Sequence, residues 1–204
     1  MSEQLPRFGA LVVETLRAPR DAARRVIALN LPERVGWEAL ALGILLTVVI
    51  FGIPVELYLR DASDEEAEFV TQVWGNPLVV TFGQALNSVV MVFAIDIIGR
   101  FFGGQGNRAG AVALVAWHQI FILAIGVAGV LVGTMVPFVL SLVVIGLIVL
   151  WFFVLTQFIC ALHGFTNSLA VFVMVLLSMV SIGFLVTIVS GILIAIFFGA
   201  SPNV

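Results

Sequence analysis

The sequence predicts an all-α polytopic membrane protein: a bundle of five transmembrane helices preceded by an N-terminal amphipathic interfacial helix. Three observations lead there. Of 204 residues, 62% are hydrophobic and only 10% charged, where a soluble domain is about 45–50% apolar and about 25% charged. Five separate stretches each exceed the roughly 20 apolar residues that a helix needs to cross a bilayer. The basic residues, all nine of them Arg, gather in alternate connections. A mean hydropathy of +1.22 excludes a nucleic-acid binder, a secreted disulfide scaffold and an ordinary cytosolic enzyme. The single cysteine, Cys160, has no partner for an intrachain disulfide.

Residues 1–35 are expected to form a cytosolic segment. They hold no apolar core of the kind a signal peptide needs, so the first span is expected to direct insertion. Pro19 suits the first turn of a helix. Ala22, Ala23, Val26 and Leu29 recur at helical spacing, with Arg20, Arg24 and Arg25 on another face and Arg17 just before. Such a helix suits the anionic inner-leaflet surface, the other reading being a solvated cytosolic helix. Asn30-Leu31-Pro32-Glu33 reads as a capped restart that turns the chain into the membrane.

The membrane domain, 36–198, is expected to hold spans at about 36–58, 78–99, 111–134, 138–161 and 168–198, followed by a short extracytoplasmic tail, 199–204. The last span would be roughly 46 Å long as continuous helix and must tilt, kink or protrude, with Gly183 and Gly191 as bend sites. A spanning barrel would need segments of about ten residues with strict alternation, whereas these runs are continuously apolar. Arginine in short flanks marks the cytoplasmic side. A cytosolic N-terminus places Arg7, Arg17, Arg20, Arg24, Arg25, Arg34, Arg100 and Arg108 inside and only Arg60 outside, next to an acidic loop with Asp61, Asp64, Glu65, Glu66 and Glu68. The C-terminus is then outside. An all-Arg composition rich in Ala, Val and Gly is a compositional hint of a GC-rich bacterial genome; the expected location is a bacterial cytoplasmic (inner) membrane.

Three segments line up in order: Thr15-Leu16-Arg17-Ala18-Pro19-Arg20-Asp21-Ala22; Gly99-Arg100-Phe101-Phe102-Gly103-Gly104-Gln105-Gly106; and a stretch from Trp151 that ends in Ala161-Leu162-His163-Gly164-Phe165-Thr166-Asn167-Ser168-Leu169-Ala170. In these the chain resembles the bacterial branch of the Ypt-interacting-protein (Yip) membrane family, over nearly its whole length. The resemblance implies five spans and a cytosolic N-terminus. Eukaryotic members of that family act in vesicle traffic and bind Rab-class GTPases, with a cytosolic Asp-Leu-Tyr/aromatic-Gly-Pro type motif. This sequence has no such motif, and its sole tyrosine is Tyr58, so a GTPase partner does not carry over.

Polar groups inside a span are costly and therefore the first candidates for function. Asp96 precedes Arg100 by one turn, a favourable i, i+4 pair; an interfacial ion pair and a proton or cation site are the alternatives. Glu56, near the outer edge of span one, reads as an interfacial carboxylate. Gln84, Asn87, Ser88 and Met91 share a face of span two. Their amides would go unsatisfied in lipid, so the face is expected to meet the bundle or a partner, as interhelical glue or as the lining of a polar cavity. His118 and Gln119 follow Trp117 near the cytosolic interface, and Gln157 reads as a helix-packing hydrogen bond. Together, Gln84, Asn87, Ser88, Asp96, His118, Gln119 and Gln157 make the candidate intramembrane polar or interhelical site, and Arg17, Arg20, Arg24 and Arg25 the membrane-surface contact. Gly126, Gly129 and Gly133 are expected to pack helices closely, the last two as Gly-x-x-x-Gly. Cys160 and His163 stand at i, i+3, short of the three or four ligands that zinc takes, so no metal is expected. Gly103-Gly104-Gln105-Gly106-Asn107 reads as a flexible turn, with neither the strand nor the Lys-Ser/Thr ending of a phosphate loop.

No catalytic signature and no cofactor motif is found. The expected function is that of a non-catalytic protein associating with membrane lipids or protein partners, as a homo-oligomer or within a membrane complex and without nucleic acid. The alternatives are a small-solute or ion transporter or channel, or a lipid-redistributing protein. Asp96, Gln84 and His118 sharing one groove would favour the alternatives; the same groups paired within a closed bundle would favour association.

Overall fold

A computed structural model of the chain describes residues 7–60, 63–64, 67–68, 70–71, 75–133 and 137–198. Asp61, Glu65 and Glu66 of the acidic loop, the side chains of Glu56 and Tyr58, and the tail 199–204 lie outside the described residues.

Two short helices open the chain. The first, α1 (Phe8–Arg17), ends because Pro19 disfavours helix in the residue before it; Ala18 leaves the helical conformation, with φ −144° and ψ 68°, and its N–H closes on the Glu14 carbonyl. Pro19 then starts α2 (Pro19–Ala28) as its first helical residue. The sequence reading foresees one helix here; α1 is an addition to it. After α2, Asn30 takes a left-handed conformation, φ 43°, which asparagine tolerates better than most residues, and the Pro32 carbonyl accepts from Val35 and Gly36 as the next helix begins.

Five helices long and apolar enough to cross a membrane follow: α3 (Glu33–Leu59), α4 (Pro77–Phe101), α5 (Arg108–Gly133), α6 (Pro137–His163) and α7 (Ser168–Phe198). Several boundaries have a local cause. The Asn76 side chain accepts from the Leu78 and Val79 N–H groups, with Pro77 as first helical residue. Helix α4 ends on Gly103 at φ 86°, where the Gly104 N–H reaches the Gly99 carbonyl and the Gly103 N–H that of Arg100, the Schellman arrangement. Helix α6 ends the same way on Gly164 at φ 76°, with the Phe165 N–H on the Cys160 carbonyl. Asn107 and Asn167 each cap the helix that follows, through the Gly110 and Ala170 N–H groups.

α3, α5 and α6 form the centre, with α4 against α3 and α5, α7 chiefly on α6, and α1–α2 across α5 and α6 at one end. We call the end carrying α1 and α2 basal. Burial is concentrated there. Leu40 and Ile44 of α3, Val92 and Ile95 of α4, Ala111, Val112, Val115 and Ala116 of α5, Leu155, Ile159 and Cys160 of α6 and Val171 and Val175 of α7 meet in the core. A second cluster docks Leu11, Ala22, Ala23 and Val26 onto Trp117, Phe121, Val154 and Phe158. Towards the other, distal end, Leu78, Val79 and Phe82 of α4 and Val180, Phe184 and Leu185 of α7 are exposed, as suits side chains facing lipid.

Candidate functional site

Several polar residues of the spans are engaged in pairs that join helices. At mid-bundle the Gln119 amide of α5 donates to Thr47 Oγ1 of α3 at 3.1 Å and approaches Gln84 Oε1 of α4 at 3.4 Å. Thr47 in turn donates to the Gly43 carbonyl. His118, fully buried, donates from Nε2 to the Trp151 carbonyl of α6 at 3.1 Å, its ring held edge-on by Trp151 and Phe158.

The N-terminal helices are fastened by two polar contacts besides their apolar faces. The Trp117 indole donates to Thr15 Oγ1 at 3.0 Å, and Thr15 donates to the Leu11 carbonyl. Arg20 reaches away from the other arginines. Its Nε donates to Gln157 Oε1 of α6 at 2.6 Å and its Nη2 to Ser168 Oγ of α7 at 2.7 Å. Of the grouped arginines, then, Arg20 ties the bundle together, while Arg17 and Arg24 are exposed and Arg25 pairs with Glu14 at 3.2 Å. Arg24 pairs with Asp21 on the surface.

The basal ends of α4 and α6 close on each other around His163, which is 3% exposed. The Gly106 N–H donates to its Nδ1 at 3.1 Å, and Nε2 lies 3.0 Å from the Ile95 carbonyl. A backbone N–H can only donate and a carbonyl only accept, so the ring is neutral with its proton on Nε2. The Gln105 N–H adds a bond to the His163 carbonyl, and Phe165 stacks on the ring. Three glycines make room for it: a Cβ on Gly99, Gly104 or Gly106 would fall 2.2, 2.4 or 2.8 Å from the nearest ring atom. The glycine-rich turn is therefore a fitted seat rather than a flexible link. Beside it, Asp96 pairs with Arg100 at 2.8 Å through Oδ2, while its buried Oδ1 has no partner among the described residues.

These two turns are the segments Gly99–Gly106 and Ala161–Ala170 that carry the family resemblance, and the model of the Yip1 domain matches residues 13–200. The chain belongs to the Yip1 domain family. The match spans α1 from Val13 onward, α2 and all five long helices, so the clasp around His163 and the Arg20 tie are both parts of this Yip1 domain. No curated protein matches the chain, and no solved structure does.

Within the Yip1 domain the seven polar candidates do not converge. Gln84 joins Gln119, Gln157 joins Arg20, His118 joins a backbone carbonyl and Asp96 joins Arg100. Ser88 is buried in the bundle. Asn87 alone of the seven lines a groove between α4 and α7, with Met91 and Ser178. The small-residue stripe of α5 packs as helix contact: Gly126 faces Phe51 of α3, and Gly129 faces Val143 of α6. The surroundings of Gly133 lie outside the described residues. Thr47, Arg20 as an inward tie, and His163 with its glycines are the members that sequence reasoning missed. The available signal was the pair of Gly-then-Asn turns, which five spans place on one side of the membrane.

Proposed function

We propose that this Yip1 domain protein is non-catalytic and works by association, as a scaffold or accessory subunit that gathers lipids or protein partners within the bilayer. The observation that supports it best is the internal pairing of its polar groups. Gln84, Gln119, Thr47, His118, Gln157 and Arg20 hold helices to one another, whereas a transport path needs such groups on a water-filled or substrate-filled surface. The groove between α4 and α7 offers one side-chain amide amid apolar walls. The apolar distal faces of α4 and α7, Phe82 and Phe184 among them, supply surface for partners or for further copies of the chain.

In this reading the basal end is cytosolic, residues 1–35 form the cytosolic segment, 36–198 the membrane domain and 199–204 an outer tail, in a bacterial cytoplasmic membrane. Arg17, Arg24 and Arg25 meet the anionic inner leaflet, which attracts each nearby arginine by about 1 kcal/mol. A reporter fused after Val204 should read as extracytoplasmic and one inserted within residues 103–107 as cytoplasmic; the same reading from both sites would refute this topology.

The association itself is tested by capturing the native protein in mild detergent after crosslinking and identifying what comes with it. A stoichiometric protein or lipid companion is the expected result. Recovery of the chain alone, together with solute or ion flux in liposomes that carry it, would overturn the proposal in favour of transport.

A further inference from the structure

The two short helices at the basal end show opposite outer surfaces. On α2 the exposed residues are Asp21, Arg24, Arg25 and Ala28, the polar face that water or headgroups require. On α1 they are Phe8, Gly9, Ala10, Val13 and Leu16, followed by Arg17 at its end. Gly9, Val12, Val13 and Leu16 share one side of α1 by helical spacing, while Leu11 and Thr15 are buried on another. The single carboxylate of α1, Glu14, is paired with Arg25. Helix α1 is thus apolar outside as well as inside, and its arginines stand at its two ends, Arg7 just before it and Arg17 as its last residue.

The height at which α1 packs decides what covers that outer side. Phe8 meets the Trp117 ring edge-on, 5.9 Å between centroids, and Thr15 Oγ1 accepts from the indole of the same residue. From Arg108, the first residue of α5, to Trp117 the helix rises about 13 Å at 1.5 Å per residue. Arg108 pairs with Glu33, the first residue of α3, so charge marks the basal rim. Apolar side chains are exposed down to this rim, Phe101, Phe102 and Leu169 among them. Val154 shares the cluster of Trp117, and its neighbour Phe153 is exposed, so the side of the bundle faces lipid at that height too. Hydrocarbon that begins at the rim and is about 15 Å deep per leaflet therefore reaches α1. The polar groups at that depth are already satisfied, Trp117 by Thr15 and Thr15 by the Leu11 carbonyl, as a water-free setting demands.

We propose that α1 is inserted in the basal leaflet: Gly9, Val12, Val13 and Leu16 face acyl chains, Arg7 and Arg17 extend to the headgroups on their flexible stems, and α2 stays at the surface. The proposal rests on the association reading for lipid as a partner and goes beyond its arginine contacts, since it moves the lipid boundary into residues 8–17. Ten residues are too few to cross a bilayer, so the helix belongs to one leaflet. The outer side of α1 is continuous in depth with the lipid-facing surface of the spans, and the charge at its ends is positive, which an anionic leaflet favours.

The test places one added cysteine on the full chain, Leu16→Cys, Val13→Cys or Gly9→Cys. A Cβ on Gly9 meets no atom within 4 Å, so that variant remains if the other two do not fold. Cys160 is buried, and the wild type taken through the same labelling sets the background. Each chain is spin-labelled, returned to vesicles of phosphatidylethanolamine and phosphatidylglycerol, and probed by electron paramagnetic resonance. Two relaxants are compared: oxygen, which concentrates in hydrocarbon, and a water-soluble nickel chelate. Ala28→Cys, exposed on α2, is the aqueous reference, and Val180→Cys, exposed on α7, the lipid reference. The ratio of oxygen to chelate collisions at 9, 13 and 16 should exceed that at 28 severalfold and approach that at 180.

A ratio no higher than at 28 would overturn the proposal and put α1 in water. Labels shielded from both relaxants would also overturn it, because a second copy of the chain would then cover the outer side. Protein companions captured by a chain whose α1 reads as aqueous would leave the association reading standing without the inserted helix. An inserted α1 on a chain that captures no companion and carries flux would do the reverse.

Discussion

Gly99→Ala should cost this protein about 1–3 kcal/mol, the range for overpacking a close-packed site, and lower its thermal midpoint by several degrees for a chain of this length. The new methyl would fall 2.2 Å from His163 Nε2. The ring has no freedom to give way, since both of its nitrogens are engaged. His163→Ala should cost more, about 3–5 kcal/mol, as a large buried side chain leaves a cavity and the Gly106 N–H loses its acceptor. The decisive measurement is the double variant. With the ring gone, Gly99→Ala should be nearly neutral, so thermal unfolding of the four proteins in a double-mutant cycle should show strong coupling. Additive losses would mean that the glycine and the histidine do not fit each other as described.

Arg20→Ala should cost about 3 kcal/mol, because hydrogen bonds to charged groups contribute about 1.5–3 kcal/mol each and the change strips Gln157 and Ser168 of one donor apiece. The loss should be local in its effect: α2 loosens from α6 and α7, and the turn around Asn30 becomes easier for a protease to cut. Arg20→Lys should recover little, since one ammonium does not reproduce the fork that serves two acceptors at once. Limited proteolysis beside thermal unfolding reads both effects. Unaltered cleavage in Arg20→Ala would show that the apolar contacts of Ala22, Ala23 and Val26 hold α2 unaided.

The sequence discloses what lipid dictates and hides what depends on a distant partner. The fold class is legible because a hydrocarbon layer tolerates no unpaired backbone, so each apolar run has to be helix. The Asp96–Arg100 pair is legible for a similar reason: one helical turn joins its members. Arg20 and Gln157 are 137 residues apart, and nothing in helical spacing says which face of one helix meets which face of another. The stripe Gln84–Asn87–Ser88–Met91 shows the limit of that spacing. Gln84 and Ser88 turn inward while Asn87 and Met91 line the groove, because a helical face is broad and its two edges meet different neighbours. Helix α1 was hidden by its brevity, and its inward Thr15, paired with Trp117, interrupts the apolar pattern that would have marked it.

The uneven distribution of contacts along the bundle bears on how this protein lives in bilayers of different thickness. α7 is 31 residues long, well beyond the hydrophobic thickness of an ordinary membrane, and it is anchored near its start, at Val171 and Val175. The exposed part that follows can change its angle to the bilayer normal without breaking the His163 clasp or the Arg20 tie, both of which lie at the opposite end. A thinner or thicker membrane is then accommodated by one free-standing segment and the lipid beside it, at fractions of a kcal/mol per Å of mismatch, while the packed end keeps its geometry.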